Sequence, residues 1–212
     1  DASTMAYEGL ANLGVPIRIV TEKTIRQGAL NDLAIVVAAK TDWIHPETAP
    51  YFADFVSKGG VLFAIEPCFS RDQYGRTSPD LSAWMNKPEQ TGRIVRLDTS
   101  LTALAIRDLV GERLKTTGRG TPVPLVDAHG DPLWGVLWRV LDDGDRYVVN
   151  VVNQRRSPQT IRLPLQSGAI VTDLISGESF GNSFELPPLH PMLLEVMKKD
   201  ISRIVPVQEP IF

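Results

Sequence analysis

An α/β domain with a parallel sheet, followed by a small antiparallel β-sandwich, is the fold class this sequence predicts. Three observations lead there. The first half alternates helical and strand-like segments, and its apolar runs LAIVVAA (33–39) and VLFAI (61–65) lack alternation, as strands covered on both faces do. After residue 124 the helical signal nearly vanishes, and short strand-like runs separated by turn formers take over. Between the two regimes, GRGTPVP (118–124) breaks both periodicities. The expected organisation is an α/β domain over 1–120, a β-sandwich over 121–200, and a tail over 201–212 that packs on another domain or subunit.

Taken in order, TMAYEGLANLG (4–14) reads as a helix, with Met5, Leu10 and Leu13 on one face and Gly14 at its C-terminal end. VPIRIV (15–20) reads as a strand, 21–31 as a loop, and 33–39 as a buried strand. A helix is expected from about residue 46, because Ala49, Phe52, Ala53 and Val56 recur at spacings near three and four, and Gly59-Gly60 stops it. VLFAI follows as the next strand, completing a unit whose crossover should be right-handed. The stretch 68–92 is rich in turn formers and carries a short helix at 81–85. RIVRLD (93–98) is a strand, and a helix spans about 101–114 with Ser100 or Thr99 as its cap. Beyond the boundary, LWGVLWRVLDDGDRYVVNVVNQ reads as a hairpin turning at Asp142-Asp143-Gly144-Asp145. TIRLPL, AIVTDLISG, SFELPPL and PMLLEVMK supply four further strand segments, in a core that would take Trp134, Trp138, Tyr147 and Phe184. The chain opens in a helix where an open α/β sheet begins with a strand. That strand would precede Asp1, so either the segment belongs to a longer polypeptide or this region packs against another chain.

Composition narrows the function. The 212 residues are 43% hydrophobic and 22% charged with a net charge of -3, which builds no basic field for nucleic acid. No apolar run approaches the ~20 residues of a membrane span. One cysteine forms no internal disulfide. His45, His129 and His190 lie far apart, and no Cys/His spacing suggests a metal. The reading therefore assigns no cofactor, no metal and no catalytic residue to the chain.

Cys68, in EPCFS just past VLFAI, sits where a strand-end nucleophile would. Pro67 removes a backbone donor that an oxyanion hole would use, Phe69 is bulky, and no histidine accompanies it, so a structural thiol is expected. Glu66, Asp72 and Asp42 are the carboxylates that strand ends could gather; stabilisation of loops is the expected role. The aromatics Trp43, Phe69, Tyr74 and Trp84, with Glu66, are the candidates for an interface or for a wall against substrate. Trp and Tyr on loops stack on sugar rings and equally fill interface cores.

The order of elements resembles a known family. YEGLANLGVPIRIV, then LAIVVAAKTDWIHPETAPYFADFVSKGGVLFAI, resembles the flavodoxin-like, glutamine-amidotransferase-like domain of large glycoside hydrolases of the beta-galactosidase type. YVVNVVNQRRSPQTIRLPL, VTDLISGESF and FELPPLHPMLLEV resemble the small β-sandwich that ends many glycoside hydrolases. EPCFS lacks the glycine-flanked nucleophile of true amidotransferases, so amidotransferase chemistry is not implied. The resemblance implies a noncatalytic C-terminal portion whose catalytic glutamates lie on a (β/α)8 barrel, either covalently upstream or on a separate chain. A barrel needs about 250 residues and does not fit here. It also implies a homo-oligomeric parent, a trimer in the resembled family, with carbohydrate as substrate and with 68–92 as the candidate active-site wall. Two other readings stay open: a stand-alone carbohydrate-binding or assembly module, and a small independent hydrolase using a loop carboxylate or Cys68.

Overall fold

The computed structural model describes residues 1–88, 93–98 and 100–202, and the chain divides into two compact units. The first comprises Asp1–Gly9 and Ile17–Ile106; the second comprises Leu10–Pro16 and the chain from Arg107 onward. Together they give a mixed α/β fold with one parallel and two antiparallel sheets.

In the first unit, Asp1 caps helix α1 (Ala2–Ala11) by accepting the Thr4 N–H at 2.8 Å. The expected strand at 15–20 does not form. No described strand pairs with it and Ile19 is 82% exposed, since β-propensity makes a strand only where a partner is present. Within the expected loop 21–31 lies a short helix, α2 (Glu22–Arg26), closed by a reciprocal Thr21–Thr24 capping box. Three parallel strands follow: β1 (Ile35–Ala39), β2 (Val61–Ile65) and β3 (Ile94–Leu97), in the order β1-β2-β3. Central β2 is buried at all five positions, as expected. Edge strand β1 instead alternates half-buried and buried positions, so one face of the strand is less covered than the other.

Helix α3 (Ala49–Ser57) begins three residues later than expected. The Thr48 hydroxyl donates to Glu22 at 2.8 Å and so does not cap α3. Its buried face, Phe52, Phe55 and Val56, packs with Leu62 and Ala64 of β2 and with Phe69 and Trp84. A fully buried side chain of this size stabilises by ~1.5–3 kcal/mol. The short helix expected at 81–85 is two 3-10 turns, Pro79–Leu81 and Ala83–Asn86.

Helix α4 (Ala103–Thr116) is capped by Thr102, whose hydroxyl accepts the Ala105 N–H at 3.2 Å. Thr102 thus takes the place expected of Ser100, and Thr99 lies outside the described residues. In the second unit, β4 (Val136–Asp143) and β5 (Arg146–Asn153) form the expected hairpin. Its two central residues are Gly144 and Asp145, and the positive φ of Gly144 (68°) at the first of them matches the turn twist that hairpins favour. The remaining strands are β6 (Gln159–Arg162), β7 (Val171–Asp173), β8 (Ser179–Phe180), β9 (Ser183–Leu186) and β10 (Pro191–Met197). They complete a five-stranded sheet, β4-β5-β10-β7-β8, and a β6-β9 pair.

The register aligns Trp138 with Val151, and Val149 with Leu194, so alternate residues of the large sheet face one core shared with Ile161 of β6 and Leu186 of β9. Trp138 is buried as expected; Trp134, Tyr147 and Phe184 are only partly so. Asn153, fully buried, ties the layers together by donating to the Ser157 and Leu186 carbonyls at 2.9 and 3.1 Å. Gly14 (φ 65°) lies against the Trp138 indole, where a methyl group would come within 2.0 Å of Nε1. Of the tail, Ile201 bridges Leu165 and packs on this core; 203–212 fall outside the described residues.

Candidate functional site

The carboxyl ends of β1 and β2 hold the surface on which the sequence candidates converge, and open α/β sheets place ligands at that end of their strands. Beyond β1 the chain passes through Lys40 (φ 50°) to Asp42, Trp43 and Ile44. Beyond β2 it turns through Glu66, Cys68 and Phe69 (φ 56°) and runs alongside the first segment. Backbone hydrogen bonds stitch the two together: Phe69 N–H to the Thr41 carbonyl at 2.8 Å, Arg71 N–H to the Asp42 carbonyl at 3.0 Å, and Ile44 N–H to the Arg71 carbonyl at 3.0 Å.

The five candidate residues separate into three roles. Phe69 is fully buried and Trp84 is 8% exposed; the Phe69 ring lies 4.9 Å from that of Phe52 and 6.1 Å from that of Trp84, centroid to centroid, so both belong to the core. The Trp84 indole N–H donates to the Leu81 carbonyl at 2.8 Å. Glu66 acts as a clamp: one carboxylate oxygen meets Arg96 at 2.6 Å and the other accepts the Cys68 N–H at 2.8 Å. Trp43 and Tyr74 alone of the five present large apolar surface, at 59% and 72% exposure.

Beside those two rings, Asp42 and Asp72 each hold an arginine. The Asp42 carboxylate accepts from the Ser70 hydroxyl and meets Arg71 Nε at 3.1 Å; Arg71 Nη1 also donates to the Gly75 carbonyl at 3.3 Å. Asp72 organises the next turn by accepting the Tyr74 and Arg76 N–H groups at 2.9 Å each and the Arg76 guanidinium at 2.9 Å. Burial acts to raise the Asp72 pKa, but these donors outweigh it and hold the carboxyl below its ordinary value. Arg76 covers the Tyr74 ring at 4.9 Å, and the Trp43 six-membered ring lies 3.6 Å from where a methyl group on Gly75 would sit.

Sequence reasoning did not single out Ser70, Arg71, Gly75 or Arg76. The available signal was the Asp-x-x-Gly-Arg turn itself, in which Asp72 reaches an arginine four residues on. Residues 89–92 of the expected wall lie outside the described residues.

Cys68 is buried, and its thiol donates to the Ala38 and Ile65 carbonyls at 3.4 and 3.2 Å. Burial first, then the Glu66 and Asp42 charges, push its pKa up to about 11, so it is a thiol and not a thiolate at neutral pH. His129 and His190 are exposed in the second unit. Among the described residues no group of three or more His, Cys, Asp or Glu is placed to hold a metal, and no helix is long and apolar enough to cross a membrane.

No protein-family model matches the sequence, and no curated protein matches it. Solved structures do. The apo exo-carrageenase GH42 from Bacteroides ovatus superposes with a TM-score of 0.70 at 21% identity, over 92% of this chain and 26% of that one. The GH42 beta-galactosidase Gan42B from G. stearothermophilus gives 0.69 at 13% identity, over 91% and 35%. The beta-galactosidase from Bacillus circulans sp. alkalophilus gives 0.69 at 13% identity, over 91% and 36%. The fold thus resembles part of larger, multidomain GH42 chains, and this chain spans between a quarter and just over a third of their lengths.

Proposed function

We propose that this chain is the noncatalytic C-terminal portion of a glycoside hydrolase, supporting assembly with a (β/α)8 catalytic barrel and forming one wall of its active site. In this reading the first part is an amidotransferase-like, flavodoxin-like domain and the second a β-sandwich, with domains at 1–120 and 121–200 and the tail 201–212, past the Ile201 contact with the chain's own core, packing on another domain or subunit. One observation carries it: a single match runs through 91–92% of this chain in GH42 enzymes of which it makes up only 26–36%. The clamped Glu66 and the un-ionised Cys68 give further support, since neither is free for chemistry. The side of β1 left unpaired among the described residues leaves an edge on which another part of the assembly can pair. The parent is a homo-oligomer, a trimer as in the resembled family.

Native followed by denaturing mass spectrometry of the protein from its natural source tests this. Recovery of the sequence within, or tightly bound to, a larger polypeptide that hydrolyses a chromogenic β-galactoside is the expected result. A solitary 23.4 kDa species would sink the proposal. A second reading, a stand-alone carbohydrate-binding module, is favoured by the exposure of Trp43 and Tyr74.

A further inference from the structure

Exposing a tryptophan and a tyrosine on two ordered neighbouring segments sacrifices the burial that large aromatic rings normally gain. The rings at 43 and 74 are not on a frayed loop. Trp43 is bracketed by the two hydrogen bonds to Arg71, and the Tyr74 turn is fixed by the three donors to Asp72. A ligand meeting this surface would find it already ordered, which lowers the entropic cost of binding.

Charge decides what kind of ligand fits. Asp42 pairs with Arg71 and Asp72 with Arg76, so these four charged groups beside the rings balance one another. Arg71 spends Nε on Asp42 and Nη1 on Gly75, and its half-exposed guanidinium keeps further N–H donors for hydroxyl oxygens. A flat apolar ring beside neutral, hydroxyl-matching polar groups suits a pyranose, whose axial hydrogens gather on one face and whose hydroxyls ring its edge.

From these features we infer that the chain binds a neutral saccharide, with one pyranose face stacked on the Trp43 indole, Arg71 meeting its hydroxyls, and Tyr74 flanking the next sugar. This deepens the glycoside-hydrolase reading, which supplies the choice of probe.

The test is a titration of the 212-residue chain with lactose and with a β-1,4-linked galactotetraose, followed by the indole and amide signals in two-dimensional NMR. The four tryptophans give four indole reporters. The expected result is a saturable shift of the Trp43 indole and the Gly75 amide with the other three indoles still. Affinity should drop at least tenfold in Trp43→Ala and by less in Trp43→Phe and Tyr74→Ala. The unchanged Trp84, Trp134 and Trp138 signals would report that each variant is folded. A site absent up to about 10 mM sugar, shifts that survive Trp43→Ala, or shifts that follow protein concentration in place of sugar would overturn the inference. Tighter binding of a sulfated oligosaccharide than of its neutral counterpart would overturn the neutral class. Failure here with a larger polypeptide recovered by mass spectrometry would remove the saccharide site and leave the assembly reading standing.

Discussion

A cysteine just past the end of a strand becomes a nucleophile only when it ionises near neutrality and meets its substrate. Cys68 is enclosed, hydrogen-bonded to two carbonyls, and pushed to about 11 by burial. A disulfide reagent such as Ellman's should therefore label the folded chain at pH 7.5 roughly two orders of magnitude more slowly than the urea-unfolded chain. Equal rates would mean that the thiol is open. This outcome was legible in the sequence, because Pro67 and Phe69 flank the cysteine where a nucleophile turn needs small residues. The fates of the aromatics were not. Phe69 and Tyr74 lie five residues apart in one irregular stretch, yet one is fully buried and the other 72% exposed. The difference depends on the turn at Phe69 and on the Asp72 clamp, and neither leaves a periodic mark in the sequence.

At the scale of elements, the strongest signals were those with a period or a named turn. VLFAI, the α3 apolar face and the Asp142–Asp145 hairpin all appear within a few residues of their expected places. VPIRIV shows where pattern alone fails: it carries the residues of a strand but has no described neighbour to pair with. α2 escaped notice because only five residues and a Thr-Thr box announce it. Gly14 illustrates a finer limit. The sequence marks it as a helix end, but the constraint comes from the distant Trp138. Gly118 has the same φ of 65° with open space around it, so the two positions form a matched pair. Gly118→Ala should cost about 1 kcal/mol through backbone strain. Gly14→Ala adds a steric overlap and should cost about 3 kcal/mol or more. Urea midpoints of the two variants check this, and equal losses would show that the indole swings away freely.

At the scale of the whole molecule, acid couples to folding through four aspartates among the described residues. Asp98 is held below its ordinary pKa by the N–H and side chain of Ser100, and Asp127 chiefly by the Asp131 N–H. Asp72 and Asp173 are each pushed up by burial but pulled further down by their donors. Asp173 accepts the N–H groups of Leu193, Ile175 and Ser176 at 2.9, 3.2 and 3.2 Å, and the Ser176 hydroxyl at 2.7 Å. In each case the folded pKa lies below the unfolded value of about 3.9. The linked stability is therefore present above that value and is lost as the pH falls through the folded one. The urea midpoint should stay level from about pH 7 to pH 5 and then decline steadily toward pH 2. Asp72 and Asp98 lie in the first unit, and Asp127 and Asp173 in the second, so probes in either unit should report the decline. Asp173→Asn should lower stability at pH 7 by on the order of 2 kcal/mol, because an amide cannot satisfy all four donors. It should also flatten the acid slope for the second unit alone. A midpoint that rises below pH 4, or an unchanged slope in Asp173→Asn, would show that these carboxylates are not what ties folding to pH.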